Sequence, residues 1–484
     1  MSQRSELTEP QPFFHLVRSA ELHPTRPALV SADLELSFEE LLTQSARIAA
    51  LLRRRGVTRG DVVAVALRND LQLVFAEALF ALAAVGCILP GELDQLGPLA
   101  VDHFVTGSTE PTSPLERTII VDDGFFAEAA GIVEPLAIDA YDDLDSVCRI
   151  AFSSGTTGRP SPLPLTLRIM EGRSRLYDDD WLPALPLMSL VSLSGALSQH
   201  VAYSNLACGD PYLSPGTPEE NLTMIRDNAV GTLIASPAQL ADLAGAARRA
   251  GGGLEGLAVV HTAGSLVPPA LISALAACTQ AELLSFYGST EVGPVMVGPL
   301  GPGGTVRFEP LAIDQQVEVV DAAGGPVPLG QAGQLRIRSA LAASGYLGTG
   351  AEGTAFRDGC FYPGDLAVQH ADGTFSLEGR AGEVMNLGGV KIDPASIDDA
   401  LQALPGVEDA AVFHVASRLG ADLPVVALVG DATVDLALVA AAFRSAAQGI
   451  SLEAIFAVAA IPRSPMGKVR REELAASYRR SLEG

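Results

Sequence analysis

Residues 150–160 read IAFSSGTTGRP, an apolar run followed at once by two serines, two glycines and two threonines. An apolar run of this kind fits a short buried strand, and the small residues after it form a loop. Side chains this small let backbone N–H groups and hydroxyls close around an anion, as in a nest of amides. The GxxxxGK[ST] pattern is missing, so this is not the commonest phosphate-binding loop. On composition alone the segment also fits an ordinary polar turn, and both readings stand at this point.

Upstream, SFEELLTQSARIAALLRRRG from Ser37 has a serine cap, a glutamate three residues on, apolar residues at helical spacing and a closing Gly56. DVVAVAL at 61–67 reads as a buried strand and VFAEALFALAAVG at 74–86 as a helix. This alternation of strand and helix continues to residue 300 and predicts an α/β body. The apolar stretch Leu71–Leu89 is interrupted by Glu77 and ends near Gly86 and Pro90, so it predicts a buried helix running into a strand, not a membrane span. Downstream, TVRFEPLAIDQQVEVVDAAGGPVPLGQAGQLRIRS from Thr305 turns to β-rich runs between Gly and Pro turns, which predicts a β-subdomain. Beyond Arg380, GVEDAAVFHVA and LPVVALVG read as strands and VDLALVAAAFRSAAQ as a helix, giving a small α+β unit.

With 484 residues the chain has material for roughly two to four cores. A hydrophobic share of 48% against 18% charged predicts a compact body. The net charge of −25 repels phosphate-rich surfaces, which argues against nucleic-acid or anionic-membrane partners and requires any phosphate ligand to be held locally. The opening MSQRSELTEPQPFF lacks the basic and apolar regions of an export signal, so a cytoplasmic location is expected. Cys87, Cys148, Cys208, Cys278 and Cys360 include no CxxC pair and are expected to be reduced core thiols.

Four segments in order decide between the two readings of the loop. IAFSSGTTGRP resembles the phosphate loop of the acyl-adenylate-forming superfamily of acyl-CoA synthetases, adenylation domains and luciferase-like ligases. FYGSTEVGP at 286–294, GCFYPGDLAVQHADGTFSLEGR at 359–380 and IPRSPMGKVRREEL at 461–474 resemble the three signatures that follow it there. The opening HLVRSAELHPTRPALV is similar to the family's N-terminus, so the resemblance covers most of the chain. It implies a large N-terminal domain of stacked α/β subdomains plus a β-subdomain over 1–379, a hinge at 380–382, and a small mobile α+β domain over 383–484.

The same resemblance implies an enzyme that uses ATP and Mg²⁺ to convert a carboxylic acid into acyl-AMP with release of pyrophosphate, then passes the acyl group to a nucleophile. Coenzyme A is the expected acceptor; an amine or a carrier-protein phosphopantetheine are the alternatives. A non-catalytic nucleotide-binding relative is the competing class, and the assembly is expected to be a monomer or homodimer. Nucleotide contacts fall to Ser153, Ser154, Gly155, Thr156, Thr157, Gly158, Gly264, Ser265, Tyr287, Gly288, Thr290, Asp365 and Arg380. Of these, Gly264 and Ser265 come from HTAGSLVPP at 261–269, which is similar to the loop against adenine and the acyl group.

Chemistry agrees with these assignments. A carboxylate attacking an α-phosphate brings like charges together, which metal and cations must neutralise; Thr157, Glu291 and Lys468 are suited to that. Glu291, alone a candidate solvated charge, becomes the Mg²⁺ ligand in an oxygen-rich Ser-Thr-Glu cluster. Asp365, alone a turn residue, offers two acceptor oxygens to ribose hydroxyls. Tyr287 could equally be core packing, but its place after LLSF points it at the nucleotide. Lys468, among Arg463, Arg470 and Arg471, could be part of a solvated basic stretch; the resemblance makes it the catalytic cation carried by the small domain.

Several positions depart from the family pattern. Ser161 stands where a lysine usually follows the loop, leaving Arg159 or Arg168 to compensate. Gly382 occupies the hinge position usually held by Asp or Lys. Asn386 opens an NxGGxK run whose Gly388, Gly389 and Lys391 are expected along the nucleophile channel. WLPALPLMSLVSLSG at 181–195 lacks the usual His, and no Asp follows Met188 to pair with an ammonium. Ser189, Leu190 and Val191, with Gly264 and Gly288, therefore predict a pocket for an uncharged, largely apolar acid, aryl or medium acyl, because a bare ammonium there would be buried without a partner. The interval from Gly86 to the phosphate loop is short, which implies a trimmed N-terminal subdomain.

Overall fold

The computed structural model describes residues 12–483 apart from 90–98, 108–116, 134–137, 154–160, 176–185, 264–266, 268, 302–305, 312–314, 348–354, 381–384, 388–389, 393, 417–421, 431–433, 448–449, 451 and 464–468. The helix signalled at Ser37 runs over Phe38–Arg54. The Ser37 hydroxyl accepts the Glu40 N–H at 3.2 Å and the Glu40 carboxylate accepts the Ser37 N–H at 2.8 Å, so two donors at the helix start are satisfied reciprocally. The next helix, Asn69–Ala81, starts five residues before the apolar run suggested, because Asn69, Asp70 and Gln72 occupy its first turn. It ends before Ala83, whose φ of 48° turns the chain into the strand Val85–Ile88.

Two six-stranded sheets make up the α/β body. The first has the order Thr118–Ile120, His103–Thr106, Val62–Ala66, Val85–Ile88, Val147–Phe152, Pro162–Thr166; all neighbours are parallel except the last pair. The second runs Leu187–Ser189, Thr232–Ala235, Val259–Thr262, Glu282–Ser289 in parallel, then Gly293–Pro299 and Glu309–Pro310 antiparallel. Parallel sheets need both faces covered, and the helices between their strands supply that cover. The largest core cluster joins Phe13, Phe38, Phe75 and Phe125 around the first sheet. Each is essentially inaccessible, and such burial contributes about 1.5–3 kcal/mol per side chain.

The β-subdomain is an antiparallel sheet of Phe356–Arg357, Cys360–Phe361, Ala332–Ser339, Asp365–Gln369 and Phe375–Arg380, with Gln315–Val320 also paired to Ala332–Ser339. The C-terminal unit is built on Val407–Ala416, Asp422–Gly430 and Ala454–Ala457. Val412 and Val426 pack with Ile397, Leu401, Val439 and Phe443 in one cluster, while Phe413 and Val425 pack with Leu474 in another. This period-two alternation gives the sheet helices on both faces. Met385 belongs to the first of these clusters.

No helix among the described residues is long and apolar enough to cross a membrane. Cys87, Cys148 and Cys360 are buried as expected, whereas Cys208 is exposed and Cys278 half-buried. Cys208 is the last residue of Ala196–Cys208, where Gly209 in a left-handed conformation ends the helix.

Burial moves Glu77 from its ordinary 4.5 up to about 8. The unfolded chain loses this proton near 4.5 and the folded chain keeps it to about 8, so the native state holds more protons between these values and stability falls as pH rises through them. Glu77→Gln is therefore expected to stabilise the protein by on the order of 3 kcal/mol at pH 8 and to be neutral at pH 4. Urea melts of both proteins across this range check it; parallel pH curves would contradict it.

Candidate active site

Val147–Phe152 and Pro162–Thr166 form an antiparallel hairpin whose last pair is Phe152 with Pro162. Its neck is closed by the Ser153 N–H donating to the Ser161 carbonyl at 3.0 Å and the Ser161 N–H donating to the Ser153 hydroxyl at 3.4 Å. Ser161, in the position of the usual lysine, is thus a neck residue. Ser154, Gly155, Thr156, Thr157 and Gly158, with Arg159, lie outside the described residues. Arg168 is engaged by Asp145 through two hydrogen bonds of 2.8 and 3.2 Å, so its charge is directed at a surface carboxylate.

In the second sheet, Ser189, Ala235, Thr262 and Ser289 end four parallel strands. Register places Ser189 beside Ile234, which pairs with His261, and Thr262 beside Ser285. Ser189–Val191, the loop after Ala263 and the turn after Ser289 thus leave the sheet at one carboxyl edge, where α/β sheets place their ligands. Gly264 and Ser265 lie outside the described residues.

The turn from Ser289 to Gly293 is a tight hairpin. A Cβ on Gly288 would collide with the Gly293 carbonyl, so only glycine permits this closure. Glu291, 6% exposed, has its carboxylate fixed by the Tyr346 hydroxyl at 2.7 Å. The Tyr287 hydroxyl donates to the Asp365 carboxylate, and the Tyr287 ring meets Phe308 edge-on with centroids 6.4 Å apart. Asp365 opens its strand and pairs across the sheet with Arg380. Tyr287 and Asp365 are therefore brought together, with Arg380 opposite Asp365 in the strand register, and Gly288, Thr290 and Glu291 follow on the same hairpin.

One residue escaped the sequence reading. Arg173, fully buried in the helix Leu167–Arg175, donates to the carbonyls of Thr290 at 2.9 Å, Glu291 at 2.7 Å and Leu341 at 2.8 and 3.1 Å. A guanidinium with its donors in a fixed fork can hold three carbonyls at once, which clamps the Thr290–Glu291 turn from behind. The helix that follows the hairpin 147–166 is in this way fastened to the turn.

Ser189 turns inward. Its hydroxyl lies 2.8 Å from that of Ser198, which donates to the Val191 carbonyl at 2.6 Å. Leu190 packs with Met188 and Leu233 in the core, and Gln239 holds its carbonyl at 2.6 Å. The segment Ser189–Val191 is thus held by internal hydrogen bonds, and its serine hydroxyls are used internally.

In the C-terminal unit, an isolated bridge joins Arg463 to Val469, and the Arg470 N–H donates to the Pro462 carbonyl at 2.8 Å. Lys468, the residue before Val469, lies outside the described residues. Its arginine neighbours are engaged: Arg463 by Asp409, Arg470 by Glu473 and Arg471 by Asp398. Lys391 stands on the strand Val390–Ile392, paired with Asn386; Gly382, Gly388 and Gly389 lie outside the described residues.

The donor set fits a nucleotide-borne Mg²⁺. Among the described residues no three His, Cys, Asp or Glu side chains form a metal cage, and Glu291 is a single oriented carboxylate. Mg²⁺ takes one or two carboxylates and completes its shell with phosphate oxygens and water.

Comparison with known proteins adds the following. Residues 16–347 match the model of a family described as AMP-binding enzyme. A feruloyl-CoA synthase from Amycolatopsis sp. is 29% identical over 436 residues, covering 82% of this chain and 84% of that protein. The ATP-bound MatB from Rhodopseudomonas palustris superposes with a TM-score of 0.83 at 21% identity, over 97% of this chain and 99% of that one. The amide bond synthetase McbA from Marinactinospora thermotolerans superposes with a TM-score of 0.76 at 19% identity, over 96% and 99%.

Proposed function

The chain belongs to the AMP-binding enzyme family, and from that premise we propose that it is an AMP-forming acid ligase. It joins an apolar carboxylic acid, aryl or medium acyl, to AMP and then to the thiol of coenzyme A. In the first half-reaction a carboxylate oxygen bonds to the α-phosphorus while the bond to the bridging oxygen breaks, giving acyl-AMP and pyrophosphate. In the second, the thiol attacks the acyl carbon, loses its proton and displaces AMP.

Each residue has one task in this reading. Ser153, Ser154, Gly155, Thr156, Thr157, Gly158 and Thr290 donate to the phosphates. Tyr287 and Gly288 border the adenine, with Gly264 and Ser265 opposite. Asp365 accepts both ribose hydroxyls, next to Arg380. Glu291 holds Mg²⁺, which would supply charge neutralisation at the phosphates. Leu190 and Val191 border the acid, backed by Ser189. Lys468, arriving with a domain of residues 383–484 that turns about Gly382 in the hinge 380–382, neutralises the charge between carboxylate and α-phosphate. Gly388, Gly389 and Lys391 line the approach of the nucleophile. A cytoplasmic location is part of this reading, because ATP and coenzyme A are co-substrates of the cell interior.

The observation that carries the reading is the Tyr287 hydroxyl bonded to Asp365, which unites two motifs 78 residues apart. Beside it stands Glu291, already oriented by Tyr346. A second reading keeps the adenylate and changes the acceptor to an amine or a carrier-protein phosphopantetheine. Product analysis separates them: a panel of aryl, medium-chain and alicyclic acids with MgATP is offered coenzyme A, simple amines or a loaded carrier protein. Acyl-CoA with AMP and pyrophosphate is expected; amide without thioester would move the assignment to amide synthesis. ATP binding without turnover of any acid would leave a non-catalytic nucleotide-binding protein.

A further inference from the structure

The strand that delivers the phosphate loop carries a charge in its interior. In VCRIAF, residues 147–152, Arg149 is 1% exposed and lies four residues before Ser153. Its Nη2 donates to the carbonyls of Ser194 at 2.9 Å and Leu193 at 3.3 Å. Those carbonyls belong to the loop that begins at the acyl wall, Leu190–Val191, and ends at the helix Ala196–Cys208. The loop is tied at its other points as well: Ser192 donates to the Asn69 side chain at 3.2 Å, and Ser198 holds the Val191 carbonyl.

Burying a guanidinium is costly unless its donors are matched, and a leucine would fill this interior more cheaply. Arg149 Nε and Nη1 have no partner among the described residues, and the same holds for Gln199 Nε2 and Glu77 Oε2. Two small cavities connect these atoms. One of ≈ 10 Å³ is lined by Arg149, Cys148, Phe80 and Gln199, the other of ≈ 10 Å³ by Glu77, Tyr203, Phe80 and Gln199. Each is about the size of one water, and Gln199 lines both, between Arg149 and Glu77. Arg149 thus fastens the loop after Val191 to the strand Val147–Phe152.

We propose that Arg149 is a positioning residue that couples acid binding to ATP binding, by tying the Leu193–Ser194 backbone to the strand that ends just before Ser153. An acid seated against Leu190 and Val191 sets the position of this loop, and the guanidinium passes that setting to the neck of the phosphate hairpin. The inference rests on the proposed placement of the acid.

Arg149→Met keeps an unbranched stem and removes the guanidinium donors, and Arg149→Lys keeps a single cationic donor head. The test measures MgATP affinity with and without the acid that the wild type turns over best, together with KM for that acid and a thermal melt. For Arg149→Met the acid KM is expected to rise about tenfold, while MgATP affinity without acid stays within about twofold and the tightening by acid disappears. Arg149→Lys is expected to recover part of that coupling, and it carries the test if the methionine variant does not fold. Equal weakening of acid and ATP would indicate a merely structural residue and overturn the proposal, as would unchanged coupling in the lysine variant together with the methionine one. A wild type that binds ATP and turns over no acid fails at the earlier reading and takes this inference with it.

Discussion

Lys468→Ala is expected to lower the rate of acyl-AMP formation by about 100- to 1000-fold while MgATP still binds nearly as well. The size follows from what a single preorganised cation contributes where negative charge accumulates between carboxylate and α-phosphate. The selectivity follows from where the lysine is carried. It immediately precedes Val469, which is bridged to Arg463 in the C-terminal unit, whereas Tyr287, Asp365 and Glu291 belong to the N-terminal body. Neighbouring arginines are poor substitutes, because Asp409, Glu473 and Asp398 already engage them. Pyrophosphate release and equilibrium ATP binding on the same preparation check both parts; a variant with the full adenylation rate would remove Lys468 from the mechanism.

Glu291→Gln is the second large effect, a loss of about 100-fold in turnover with a higher Mg²⁺ concentration needed for half-maximal rate. Glutamine retains an oxygen for the Tyr346 hydroxyl, and the backbone hold of Arg173 on the Glu291 carbonyl is untouched, so the turn keeps its shape. What disappears is the negative charge that a hard cation requires. Mg²⁺ titrations of the initial rate distinguish this from a folding defect: a variant that is slow at every Mg²⁺ concentration with an unchanged midpoint would mean that Glu291 orients the turn and holds no metal.

Much of this architecture was legible because local signals decide it. Ser37 and Glu40 announce their helix through adjacent backbone groups, and the C-terminal strands 407–416 and 422–430 announce theirs through the short apolar runs AAVF and VVALV. The meeting of Tyr287 with Asp365 was legible only as a consequence of family resemblance, since nothing near either residue specifies a partner 78 positions away. Arg173 was missed for the same physical reason: LRIMEGRSR reads as a polar surface helix, yet its partners are carbonyls 117 to 168 residues distant. Arg149 did leave a trace, a lone charge inside an apolar strand, and Glu77 left another inside an apolar helix. A buried charge in an apolar element is costly enough that its position is information, though its partners cannot be read from it. The helix start at Asn69 went unread because polar residues fill the first turn while the apolar run begins later.

The most direct test of the central claim is acid-dependent exchange of labelled pyrophosphate into ATP, measured with Mg²⁺ and without coenzyme A or amine. Acyl-AMP formation as a separate, reversible first step predicts label in ATP only when a suitable acid is present, and little with the Lys468→Ala protein. Thioester or amide formation without any such exchange would contradict it, because the acid would then reach its acceptor by a route that never passes through the adenylate.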